Sequence, residues 1–185
     1  MRRALTLTNR YSRGAIWFHW SIASLIIVNL AIGLLHESLL DGVPGIIPLH
    51  KSIGLTVIVL TLWRIVWRLT HRPPPHPASM HTWERLAAGA AHLGLYVLML
   101  ALPLTGWAMV SRPLKRRPLD FFGLFDVPYL PVTQDAGTVA RNAHGLLGWV
   151  LLALLVIHVA AALRHHFLLR DTILSRMIPG LRSRA

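Results

Sequence analysis

His144-Gly145-Leu146-Leu147-Gly148-Trp149-Val150-Leu151-Leu152-Ala153-Leu154-Leu155-Val156-Ile157-His158 is an apolar run closed at each end by an imidazole, and 14 residues separate the two. A helix turns about 100° and rises about 1.5 Å per residue, so 14 steps fall about 40° short of four turns and climb about 21 Å. Both rings therefore project from nearly one face, one towards each surface of a hydrocarbon layer about 30 Å thick. Ionisable residues in such a layer are costly and face an interior partner or cofactor. The rest of the chain reads as supplying what this pair needs.

Of the 185 residues, 54% are hydrophobic and 14% charged, where a soluble domain carries about 25% charged residues. Apolar stretches run over about 15–35, 49–69, 86–110 and 143–167, each reaching the roughly 20 residues that cross a bilayer as a helix. The first is too long and too late for a signal h-region, and no small-residue cleavage site follows it. The expected architecture is all-α: one membrane domain, residues 1–185, built as a bundle of four transmembrane helices.

Cysteine is absent, which removes c-type haem attachment, thiolate-ligated haem, iron–sulfur clusters and disulfides. Eleven histidines are left as metal ligands. The net charge of +12 raises nucleic acid as a partner, but its distribution argues against that. With the N-terminus inside, thirteen of the nineteen Lys and Arg residues fall on the cytoplasmic side and six outside (Lys51, Arg112, Lys115, Arg116, Arg117, Arg141). That asymmetry follows the positive-inside rule, predicts both termini in the cytoplasm and reads as lipid contact.

Residues 1–14 read as a basic, poorly structured arm. His19 lies about a turn into the first helix among Trp17, Phe18 and Trp20, aromatics suited to the membrane interface. Gly33, 14 residues on, leaves room near the outer surface. A short loop from His36 to Pro48 precedes the second helix, whose first turn holds His50; Arg64 follows 14 residues later, nearly in line. Arg64 either pairs with a buried carboxylate such as a haem propionate or snorkels to the interface, whereas Arg68 snorkels. His71, His76 and His81 stand in a Pro-rich connection without zinc-ligand spacing and read as solvated. His92, on the inner half of the third helix, has no obvious partner at matching depth in the sequence, reads as a hydrogen-bonded core or site-lining histidine and receives no ligand role. The outer loop, roughly 112–141, opens on Arg112, Lys115, Arg116 and Arg117. This cluster either steers a small anion or touches lipid headgroups or a partner protein.

Sorted by depth, His50 and His144 fall near the outer surface and His19 and His158 near the inner one. Two bis-histidine sites in a four-helix bundle suit two b-type haems held non-covalently between helices, with Gly54, Gly145, Gly148, Ala160 and Ala161 making space. Zinc transport would want carboxylates at mid-span, and the sequence places none there; no other metal is expected.

The chain resembles the prokaryotic cytochrome b561 family over nearly its whole length. The residues that carry the resemblance are Tyr11-Ser12-Arg13, His19-Trp20, His50 with Ser52 and Gly54, and Arg64. They continue with Pro103-Leu104-Thr105-Gly106-Trp107, His144-Gly145, His158, His165-His166-Phe167, Arg170-Asp171 and Met177-Ile178-Pro179. The resemblance implies a dihaem inner-membrane cytochrome with His19, His50, His144 and His158 as axial ligands. Small stand-alone members resemble superoxide:ubiquinone oxidoreductase, which implies superoxide as electron donor outside and ubiquinone reduced near the inner haem. Arg13, Arg64, His92 and His165 are the candidates to line that quinone site or hold propionates. Some relatives carry a further histidine where this chain has Leu95 or Tyr96. The alternative function is an electron-transfer subunit linking a periplasmic dehydrogenase, hydrogenase or c-type cytochrome to the quinone pool, with the Arg112–Arg117 cluster as docking patch.

Overall fold

The computed structural model describes residues 10–75, 77, 80–178, 180 and 181. Arg2, Arg3 and most of the expected basic arm, together with His76, Pro179, Arg182 and Arg184, lie outside the described residues. Four helices carry the fold: α1 (Arg13–Leu35), α2 (Ile46–Thr70), α3 (Thr82–Val110) and α4 (Gln134–Phe167). Each is long and apolar enough to cross a membrane, as expected. They run up and down in chain order, with α1 on α2, α2 on α3 and α3 on α4, while α1 and α4 touch over only a short stretch. The core is aliphatic: Ile22, Ile26, Ile32, Ile53, Val57, Leu98, Met99 and Leu151 pack along the axis.

All four helices begin earlier than hydropathy places them, and each early start has a local cause. Arg13 is not in an arm but opens α1, because Ser12 caps it through Ala15 N–H and also accepts from Trp67 Nε1. Gly45, at φ 78°, turns the chain into α2. Pro48 is therefore not loop but part of the first helical turn, where a missing N–H costs nothing. His81 caps α3 while Glu84 returns a hydrogen bond to His81 N–H at 3.1 Å, so His81 is a capping residue rather than an idle solvated one. α4 begins at Gln134, behind a Thr133 cap and with Asp135 in its first turn. At 34 residues it is about 51 Å long, far more than the hydrocarbon layer needs. Arg141 is consequently a helical residue, and the expected loop shrinks to residues 111–133.

That loop folds onto the bundle. Its centre is a tight turn in which Phe121 N–H reaches Phe125 O and Gly123 N–H reaches Asp120 Oδ1. Ser52 of α2, fully buried, clamps it by accepting from Phe122 N–H at 2.9 Å and donating to Asp120 O at 3.2 Å. Lys51 Nζ donates to Pro118 O beside it. Ser52→Ala is expected to weaken this closure by about 1–3 kcal/mol, the cost of stranding the two backbone partners. Limited proteolysis should then cut the 111–133 loop roughly tenfold faster, with the four helices intact.

Candidate functional site

The fold brings the depth-sorted histidines together two by two. His50 on α2 and His144 on α4 have ring centroids 6.1 Å apart at an interplanar angle of 83°. His19 on α1 and His158 on α4 stand 6.3 Å apart at 63°. A metal–imidazole bond is about 2 Å long and a ring nitrogen lies about 1 Å from its own centroid, so two imidazoles on one ion stand about 6 Å apart. Both pairs meet that spacing. They lie at opposite ends of α4, the first at the hairpin end and the second at the arginine-rich end.

At the hairpin end the outward nitrogens are already used. His50 Nδ1 lies 3.1 Å from Asn29 O, and His144 Nδ1 lies 2.9 Å from Leu102 O and 3.2 Å from Thr105 Oγ1. A carbonyl can only accept, so each Nδ1 carries the proton and each Nε2 keeps its lone pair for a metal. Thr105 Oγ1 bonds back to Ala101 O and Leu102 O, and the Leu102 carbonyl also orients His144. Glycine lies close behind both rings. A Cβ at Gly33 would sit 3.0 Å from His50 Cε1, and one at Gly106 would sit 3.1 Å from His144 Cε1. The space at Gly33 thus seats an imidazole. Around Gly145 and Gly148 a Cβ would meet nothing within 4 Å.

A cavity of about 330 Å³ opens between these rings, lined by Gly54, Pro103, Gly145, one carboxylate, Glu37, and the four cations Lys51, Arg112, Arg117 and Arg141 that outnumber it. The four expected anion-steering residues therefore divide. Arg112 and Arg117 face the cavity. Arg116 lies over the Tyr129 ring at 5.1 Å, and Lys115 ends the short 3-10 turn Pro113–Lys115, exposed. Lys51 and Arg141 take their places, and the sequence reading counted them only as outer charges. Arg112 is rigid: it is 7% exposed, its Nε donates to Met109 O at 2.8 Å, and a Cβ at Gly137 would collide with its Cγ.

The arginine-rich end is built differently. Arg64 Nη2 stands 3.4 Å from His19 Nδ1, and its guanidinium also lies 5.5 Å from the Tyr96 ring, with Arg68 at 6.0 Å from the same ring. Arg64 thus sits at the inner pair, and Tyr96 occupies the space beside it. His92 has a partner after all: its ring is 5.5 Å from that of His158, because the early start of α3 and its packing on α4 place it at the same depth. That distance is shorter than the roughly 6 Å of two bonds in line through one ion, so His92 stands beside the pair rather than across an ion from it. Arg13 is exposed at the first position of α1. His165 is buried, with Nδ1 2.5 Å from Asp171 Oδ2. Among the described residues, no group of three or more His, Asp or Glu converges on a possible metal position.

Comparison with known proteins points the same way. Residues 10–180 match the family described as Prokaryotic cytochrome b561. The chain is similar to Cytochrome b561 homolog 2 of Escherichia coli (strain K12), 37% identical over 91% of each chain. It is also similar to Cytochrome b561 homolog 1 of the same organism, at 28% identity over 92% of this chain and 98% of the relative. A third relative, Probable superoxide oxidase CybB of Yersinia pestis, is 29% identical over 94% of this chain and 98% of its own.

Proposed function

This chain belongs to the prokaryotic cytochrome b561 family of multi-pass inner-membrane electron-transfer proteins, which bind b-type haem, and from that premise we propose that it holds two haems, moving electrons from superoxide outside to ubiquinone inside. The observation that carries the reading is the matched spacing of two imidazole pairs at opposite ends of one bundle. Each pair offers an ion only two ligands, so the others must arrive with it, as the four pyrrole nitrogens of a porphyrin do. His50 and His144 would hold the outer haem, and His19 and His158 the inner one. Bound between such pairs, haem would supply one-electron transfer without oxygen binding.

The chain's own residues do the rest. The carbonyls of Asn29 and Leu102 fix the tautomers of the outer ligands. Lys51, Arg112, Arg117 and Arg141 give the outer mouth a positive field in a low-dielectric wall, which favours entry of a small anion. Two superoxide ions each give up one electron and leave as dioxygen; ubiquinone takes both electrons and two protons to become quinol. Arg64, His92 and Tyr96 at the inner pair provide donors for a quinone carbonyl. The arginine-rich end faces the cytoplasm under the positive-inside rule. The Yersinia relative's name, a probable superoxide oxidase, supports this choice of donor.

The test is to mix oxidised, purified protein with a superoxide source and a soluble quinone. Haem reduction and one quinol per two superoxide ions, faster than the spontaneous reaction, are expected; no acceleration refutes the enzyme. The exposed Phe122, Leu124 and Phe125 of the 111–133 loop favour the second reading, a subunit docking a periplasmic dehydrogenase, hydrogenase or c-type cytochrome. Haem reduction by such a partner but not by superoxide would select it.

A further inference from the structure

Aromatic residues are unevenly shared between the two ends of the bundle. Trp17, Trp20, Trp63, Trp67 and Trp83 stand at the arginine-rich end, while towards the opposite surface the helices carry only Trp107 and Trp149. Membrane interfaces are lined by aromatics on both sides. The 111–133 loop makes up the difference with Phe121, Phe122, Phe125 and Tyr129. The Phe121 ring packs 4.8 Å from Phe122 and 5.4 Å from Phe125, and Phe122, Leu124 and Phe125 are exposed.

The clamp at Ser52 sets the depth of this cluster. A hydrocarbon layer about 30 Å thick, centred between imidazole levels about 21 Å apart, extends about 4.5 Å beyond each level. Ser52 lies two residues, about 3 Å, further into that layer than His50. Its bonds to Phe122 N–H and Asp120 O therefore hold the tip of the hairpin below the outer edge of the layer. Irregular backbone is tolerated at such depth only when its polar groups are satisfied. Phe121 N–H donates to Phe125 O, Phe122 N–H to Ser52 Oγ, Gly123 N–H to Asp120 Oδ1 and Leu124 N–H to Phe121 O. Four successive amides thus find partners within the protein and need no water.

We propose that the tip of the 111–133 hairpin, Phe122 to Phe125, is seated in the outer leaflet of the bilayer and anchors the loop there, with lipid as its occupant. Exposure alone suits a soluble partner equally well; the depth of the clamp and the closed backbone suit lipid. The apolar surface is continuous in kind with the lipid-facing wall of α2, where Leu49, Val59 and Leu62 are exposed. Charge fits as well: Lys115 and Arg116, exposed on the same loop, complement lipid phosphate, as basic residues flanking Phe and Leu do in interfacial segments. Asp120 is tied to Gly123, and Asp126 is the loop's one other carboxylate. The same loop brings Arg117 to the cavity, so seating the tip also fixes where that charge stands. The inference needs the membrane span and not the identity of the electron donor or acceptor.

Because the chain has no cysteine, one introduced thiol gives one labelled position. The test places a nitroxide spin label on Leu124→Cys, on Phe125→Cys and, for comparison, on Asp135→Cys at the start of α4, which lies about 13.5 Å outward of His144 along the helix. The full chain is reconstituted in vesicles of phosphatidylcholine and phosphatidylglycerol. Each label is then challenged with oxygen, which concentrates in lipid, and with a water-soluble nickel chelate. Labels at 124 and 125 should meet the chelate roughly fivefold less often than the label at 135 and meet oxygen more often, the pattern of side chains seated at the headgroup–acyl boundary. Free access of the chelate to 124 and 125 overturns the proposal and returns the tip to a soluble partner. Exclusion of both reagents overturns it too, because a second copy of the chain then covers the tip. All three positions are exposed, so labelling should leave the absorbance spectrum unchanged.

Discussion

On the two-haem reading, His158→Ala should yield a protein with one haem where the parent is expected to hold two, and His144→Ala should lose the other. In each variant the reduced b-type absorbance falls to about half, and the double variant is colourless. The effect is this large because neither site has a spare ligand across the gap at the right distance. With His158 gone, His19 is left facing an alanine; His92, at 5.5 Å from the lost ring, stands to the side. The helix itself should persist. Its stability comes from apolar packing around Leu151 and its neighbours, and alanine is a good helix former.

Loss of colour by itself does not separate a ligand from a packing residue, so His158→Met is the sharper companion. Thioether is a recognised axial ligand and raises the potential of the iron it holds. Haem content should be kept while the potential of one haem moves up and the other does not. A methionine variant that loses as much haem as alanine would mean His158 is needed for its shape and hydrogen bonding instead. Full colour in both His158→Ala and His144→Ala would refute the pairing.

How far the sequence foretold the fold is clearest at the histidines. Depth and phase follow from spacing, because apolar helices keep their rotation per residue, and His50, His144, His19 and His158 met as their positions in the spans required. The failures have other causes. Gln134–Arg141 is polar, so hydropathy ends the fourth helix at the membrane, yet capping by Thr133 carries the helix beyond it. That misplacement hid Arg141, which reaches the cavity from α4. Lys51 was seen only as charge, since nothing in a linear pattern says which face of the first turn of α2 looks into a cleft. The acceptors that orient the outer rings, Asn29 O and Leu102 O, are backbone atoms and leave no mark on residue identity. The His165–Asp171 contact was legible in principle as a six-residue spacing across a helix end. Neither residue identity nor hydropathy shows that the chain turns back after Phe167, which is what brings the two together.

Arg117→Glu should slow reduction of the outer haem by superoxide about tenfold or more at low ionic strength, while Lys115→Glu should change it less than about twofold. The two positions are close in sequence, both exposed and equally charged, so a surface that merely collects anions would treat them alike. Only Arg117 lines the cavity between His50 and His144, and a charge there acts on the last step of approach. Bringing a negative side chain to that wall removes one attraction and adds one repulsion on the same anion. Added salt should shrink the difference, because the Debye length is about 10 Å at 0.1 M and shorter above it. Arg112 is the wrong residue for this comparison: packed over Gly137 and tied to Met109 O, its replacement would disturb the α3–α4 contact as well as the field. Equal slowing by Arg117→Glu and Lys115→Glu would place anion capture on the diffuse charge of the outer face. Slowing at Arg117 alone would place it in the cleft, where the two ring nitrogens wait for a metal.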